Sequence, residues 1–163
     1  MLSMTSNKYK LQAILELREK AKQDSARLMA ARRAALEEAE EELARREEML
    51  AQCRVQQAVA QAKMMEEAGG GTEARHIVAH RVHLADLRRN EQQLIEEVRE
   101  QKSAVSRAEK ELEKALAALI EASQELRVIE KHRDGWQQRL GCAKTRREQK
   151  LNDEIGMIRH KTH

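Results

Sequence analysis

Ala68-Gly69-Gly70-Gly71-Thr72-Glu73-Ala74 decides how this chain folds. On either side lie long stretches rich in Ala, Glu, Leu, Lys and Arg, and the 163 residues contain no proline. Each glycine costs about 1 kcal/mol relative to alanine inside a helix, so three in a row end one. Thr72 is a suitable N-cap for a second helix, with Glu73 favourably placed in its first turn. A short connection between two helices makes them antiparallel neighbours.

Outward from the glycines, the second helix carries the stronger pattern. Heptads written from Ile77 place Ile77, Leu84, Glu91, Val98, Val105, Leu112, Leu119, Leu126, Arg133 and Leu140 at a. They place His80, Leu87, Leu94, Gln101, Ala108, Ala115, Ala122, Ile129, Trp136 and Ala143 at d. Sixteen of these twenty are apolar, where the 40% apolar composition would give eight. A 3.5-residue repeat sustained over this length specifies a left-handed supercoil. The first helix answers with Leu36, Ala39, Leu43, Arg46, Leu50, Cys53, Gln57, Ala60 and Met64 in one register. Upstream, Leu11, Ile14, Ala21 and Leu28 read as a second register, which predicts a slip near Arg32 and Arg33. Ser6 or Asn7 is the expected cap of the first helix.

The fold predicted is all-α: a long two-helix antiparallel coiled-coil hairpin with a projecting C-terminal helix. It forms one domain over 1–163, with helix 1 at about 7–68, a loop at 69–72 and helix 2 at about 73–160. Each arm is about 90 Å long at 1.5 Å per residue. Folding about Gly70 pairs residues whose numbers sum to about 141. Met64 then faces Ile77, Leu50 lies near Glu91, Leu28 lies near Leu112, and Tyr9 meets His132 and Trp136. Residues 141–163 extend past the first helix, yet Leu151, Ile155 and Ile158 recur at i, i+4 and i+7, an apolar helical stripe. A stripe that nothing in the chain covers is a candidate partner surface. Gly135, Gly141 and Gly156 are expected to let the terminal helix bend or fray, or to admit a closely approaching backbone.

Composition excludes more than it assigns. With one tyrosine, one tryptophan and no phenylalanine, the chain cannot fill a wide core. No stretch approaches the roughly 20 apolar residues of a membrane span, and Met1–Lys10 has no signal-peptide h-region. Cys53 and Cys142 are too far apart in the hairpin to pair, in keeping with a reducing, cytoplasmic setting. A two-helix rod offers no pocket for a catalytic constellation, so no enzymatic activity and no cofactor are expected. His76, His80 and His83 share a helical face, but without a fourth ligand they read as polar residues at the tip rather than a zinc site. Residues 1–33 and 131–163 each carry a net charge of +5, which leaves −7 for 34–130. The hairpin is therefore basic where its termini meet and acidic along its shaft, a polarity that steers association. Nothing resembling a nucleic-acid-binding motif accompanies the basic end.

Lys10-Leu-Gln-Ala-Ile-Leu-Glu-Leu-Arg18-Glu-Lys20, the restart Gly71-Thr-Glu-Ala-Arg-His-Ile77, His132-Arg-Asp-Gly-Trp136 and Glu148-Gln-Lys-Leu-Asn-Asp153-Glu154-Ile155-Gly156 together resemble the YscO/CdsO family. These are central stalk proteins of bacterial type III secretion, with the flagellar FliJ as a distant counterpart. The resemblance implies a stalk similar to the γ subunit of rotary ATPases. The end with both termini would sit in a hexameric secretion ATPase, and the loop end would point toward the export gate at the cytoplasmic face of the inner membrane. Secretion chaperones are further partners that it implies. The ATPase contact would fall on Arg146, Arg147, Lys150, Leu151, Ile155 and Ile158, with Lys8 and Lys10. Tyr9 and Trp136 would pack the end where the termini meet, and Met64, Glu66, Glu67 and His76 would face the gate. The competing expectation is an escort or scaffold that binds chaperones along its shaft without an axial role.

Overall fold

The computed structural model describes residues 8–161. Two helices account for nearly all of them: α1, Gln12–Gly69, and α2, Ala74–Lys161. They pack against each other antiparallel, giving an all-α hairpin with no strand among the described residues. The first helix starts at Gln12, later than the residue 7 expected. Residues 8–11 form a turn, in which the Gln12 amide donates to the Tyr9 carbonyl at 3.1 Å. Ser6 and Asn7, the expected caps, lie outside the described residues. α2 continues through Gly135, Gly141 and Gly156 without a break. A Cβ added at Gly141 or Gly156 would meet nothing within 4 Å, so no neighbouring backbone approaches either.

The connection works differently from its sequence reading. Gly71 has a φ of 80°, a left-handed conformation that L side chains enter at a cost. The Thr72 amide donates to the Glu67 carbonyl at 3.4 Å, and the Gly70 amide donates to the same oxygen at 3.2 Å. This six-to-one bond around a left-handed glycine is a Schellman C-cap. The Thr72 hydroxyl also donates to the Glu67 carbonyl, at 2.6 Å. Thr72 therefore closes α1 instead of capping α2. Glu73 lies just ahead of α2, not in its first turn, and its carbonyl accepts from the His76 amide at 3.0 Å. Unfilled carbonyls at the end of α1 compete for the hydroxyl, and here they win.

The described residues group into two units. Unit 1 takes its residues from Met1–Leu28 and Leu116–His163, and unit 2 is Met29–Ala115. Of the twenty seam positions assigned from Ile77 onward, only Ala143 is exposed. All nine assigned from Leu36 to Met64 are buried or half-buried. The expected pairing also holds: Tyr9–His132, Arg18–Glu125, Gln101–Ala39 and Cys53–Leu87 sum to between 140 and 143.

The predicted register slip does not occur. Counting back from Leu36 in the same heptads gives Met29, Ser25, Arg18, Leu15 and Leu11, each buried or half-buried. Lys22 and Arg32 are the exposed members of the series. Leu15 is the most deeply placed side chain among the described residues, at 2% exposure, whereas Ile14 and Leu28 are 40% and 46% exposed. Polar residues occupy seam positions here, so a count of apolar spacing picked out the neighbouring stripe instead.

Several polar seam residues reach across to the facing helix. In unit 2, Arg46 Nη1 donates to the Glu97 carbonyl at 3.1 Å, and Gln101 Nε2 to the Ala39 carbonyl at 2.9 Å. Gln57 Nε2 donates to the Leu87 carbonyl at 3.2 Å and to the Glu91 carboxylate at 2.8 Å. The buried Cys53 thiol lies among them, 3.5 Å from the Leu87 carbonyl. A one-heptad slide would offer the backbone-directed donors equivalent carbonyls but would part Gln57 from the Glu91 carboxylate, with Leu84 and Val98 one heptad away, so that side-chain pair favours this axial register.

Candidate partner-binding surfaces

In unit 1 the N-terminal turn brings Tyr9 onto α2. Its ring is 8% exposed and sits 5.7 Å from His132 and 5.3 Å from Trp136, centroid to centroid, at tilted angles. The Tyr9 hydroxyl is 2.7 Å from His132 Nδ1 and donates to it when that nitrogen is unprotonated. Arg18 and Glu125 form an interhelical ion pair about two turns further along. Tyr9 and Trp136 therefore pack against each other within unit 1. Arg133, at a seam position beside this cluster, has its Nε covered and without a hydrogen-bond partner.

Beyond Leu140 every described residue of α2 is exposed. Arg146, Arg147 and Lys150 project from this segment, with Leu151 at 57%, Ile155 at 48% and Ile158 at 64% exposure. Leu140 to Leu151 is eleven residues and Leu140 to Ile158 eighteen. At about 3.6 residues per turn these are close to three and five whole turns. The apolar stripe thus stays on the face that the seam leaves, with the heptad frame relaxed by an eleven-residue step. Within this stretch the Gly141 carbonyl accepts from the Thr145 hydroxyl at 3.0 Å. Lys8 and Lys10 are exposed at the start of the described chain. Unit 1 as a whole carries a net charge of +6 and unit 2 carries −3.

At the loop end, in unit 2, the four residues expected to face a partner divide. Glu66 and His76 are exposed. Met64 instead packs against the cluster of Ala60, Leu84 and Leu87. Glu67 is engaged twice: its carbonyl caps α1, and its carboxylate lies 2.5 Å from His80 Nε2. His80 is accordingly a seam residue with a partner on α1. His76 and His83 are exposed, and no group of three metal-ligating side chains converges among the described residues.

The sequence reading did not single out a groove of about 510 Å³ on one flank of unit 2, lined by Val55, Gln56, Val59, Lys63, His80 and His83. Val55 and Val59 are 63% and 62% exposed. The available signal was two valines one helical turn apart, outside the seam positions. Two glutamates have carboxyls held below the ordinary range: Glu42 by hydrogen bonds from Arg45 and Arg46, and Glu91 by hydrogen bonds from Arg54 and Gln57.

A family model described as YscO-like protein matches residues 6–163. The chain belongs to the YscO-like family. That family comprises structural, non-enzymatic components of the type III secretion apparatus. The fold also matches the solved structure of CT670 from Chlamydia trachomatis, a proposed YscO homolog, with a TM-score of 0.76 at 24% identity and 96% of each chain covered. No curated protein sequence matches the chain. Among the described residues no helix is long and apolar enough to cross a membrane.

Proposed function

We propose that this YscO-like chain is the central stalk of a type III secretion ATPase complex. The end that carries both termini inserts in the hexameric ATPase, and the loop end faces the export-gate cytoplasmic domain, at the cytoplasmic face of the inner membrane. The observation that carries this reading is the exposed end of α2. It is a basic helix whose apolar stripe, Leu151, Ile155 and Ile158, continues the seam face into solvent. Such a stripe is suited to packing in an apolar collar. Arg146, Arg147, Lys150, Lys8 and Lys10 supply the charge that attracts and orients an acidic channel wall. The loop-end contact falls on Glu66 and His76, because Met64 and Glu67 are used within the chain. Coupling needs no chemistry from the stalk itself: differential contact with the ring in successive states suffices.

The test is a pull-down with the hexameric ATPase. Charge reversal at Arg146, Arg147 and Lys150 is expected to abolish retention, as is removal of residues 144–163. Retention unchanged by both would sink the assignment. The groove at Val55 and Val59 favours a second reading, a chaperone-binding escort without an axial role. That reading predicts chaperone binding that survives removal of 144–163 and is lost on Val55→Glu/Val59→Glu.

A further inference from the structure

The stripe that misled the register count is itself a surface. Ile14, Ala21 and Leu28 repeat at strict seven-residue spacing, and Leu17 adds a +3 member. They flank the seam of unit 1 instead of forming it. Leu17 is 65% exposed, Leu28 46% and Ile14 40%, while Leu15 beside them is 2% exposed. The opposite flank of the same segment holds Gln12, Glu16, Glu19 and Gln23, with the small Ala26 its one apolar member. From Gln12 to Leu28 the large aliphatic side chains of α1 therefore lie on the seam and on one flank only. On α2, Val128 is 66% exposed three residues from Glu125 of the Arg18–Glu125 ion pair, and Leu116 and Ile120, at 37% and 58% exposure, lie at e and b of its heptads.

A two-stranded coil uses one apolar seam per helix. A helix whose apolar arc widens from a and d onto g has room for a third helix. The strict heptad spacing suits a supercoiling α-helix better than an extended peptide or a flat lipid surface. From Ile14 to Leu28 the stripe is about 21 Å long at 1.5 Å per residue, the length of four turns. Charge selects among helices. On α1, Lys20 and Arg27 border the stripe against Asp24, Glu125 of α2 is paired with Arg18, and unit 1 carries +6. A second copy docked on this flank through the same unit would bring like charge against like.

We propose that the Ile14–Leu17–Ala21–Leu28 flank of unit 1 docks an acidic amphipathic helix of a partner protein, converting this unit from a two-helix to a three-helix coil. The surface is distinct from the exposed end of α2, so its fate and that of the ATPase contact are separable.

The probe is a three-heptad peptide with Leu at a and d and Glu at e and g, titrated against the full chain and followed by fluorescence anisotropy. Controls are its scramble and its Glu→Lys counterpart. The acidic peptide is expected to bind at least tenfold more tightly than either control. Leu17→Glu/Leu28→Glu should weaken it at least tenfold, with circular dichroism unchanged. Leu17→Ala/Leu28→Ala, which keeps helix propensity, should weaken it as well. Leu151→Glu/Ile155→Glu should leave it unaltered. The proposal is overturned if the acidic peptide does not bind, or if the α2 substitutions and not the α1 ones remove binding. It is equally overturned if the flank substitutions abolish only self-association in sedimentation, or only adsorption to anionic phosphatidylserine vesicles.

Discussion

Arg133 shows how a single side chain can sit against the grain of a coiled coil. It occupies an a position, and its Nε is covered without a hydrogen-bond partner. A buried donor left unmade costs about 1–3 kcal/mol, so Arg133→Leu is expected to raise stability by about 1 kcal/mol in denaturant titration. A loss of stability would show that the guanidinium is held by more than its ion pair with Asp134. Gly71→Ala should act in the opposite direction, by about 1 kcal/mol, because the Schellman cap requires φ near 80° there. Glu91 supplies a pH dependence. Hydrogen bonds from Arg54 and Gln57 lower its folded pKa, so its stabilising contribution is complete above the unfolded carboxylate's pKa. That contribution fades as pH falls through the lower folded value. The melting-temperature gap between wild type and Glu91→Gln should therefore be present at pH 7 and close under strong acid. A gap that stayed constant with pH would contradict the assignment.

At the scale of the element, the sequence was most informative where the seam is apolar. The heptads from Ile77 located every buried position of α2 and most of the half-buried ones, because side chains at 3.5-residue spacing have only the facing helix to pack against. The same logic failed in the first turns of α1. There Arg18 and Ser25 hold seam positions by pairing and by small size, while Ile14, Ala21 and Leu28, one step off the seam, imitate it. Spacing alone cannot say which of two apolar stripes faces inward. The capping residue was misread for a related reason: Thr72 stands between two helix ends, and only the geometry of Gly71 decides which one its hydroxyl serves. In the exposed end of α2, Gly141 and Gly156 have open space around them. Gly141→Ala and Gly156→Ala should each add about 0.5–1 kcal/mol of local helix stability, measurable as slower amide exchange over residues 141–161. Unchanged exchange would mean that this segment's helicity is set by something other than backbone propensity.

For the molecule as a whole, family membership came within reach of the sequence through short motifs around Trp136 and Ile155. The distribution of contacts did not. Of the residues expected at the two ends, Tyr9 and Trp136 pack together, Met64 and Glu67 serve the hairpin itself, and the basic and aliphatic residues of the α2 end are exposed. The last group gives the stalk reading its direction, since it joins charge, an apolar stripe and exposure on one segment. The measurement that tests this most directly is site-specific photo-crosslinking of the full chain to the hexameric ATPase, with the photoreactive residue placed in turn at Leu151, Ile155, Glu66 and His76. Crosslinks to the ATPase are expected from Leu151 and Ile155 and none from Glu66 and His76. Crosslinks from the loop-end positions alone would contradict the stalk reading.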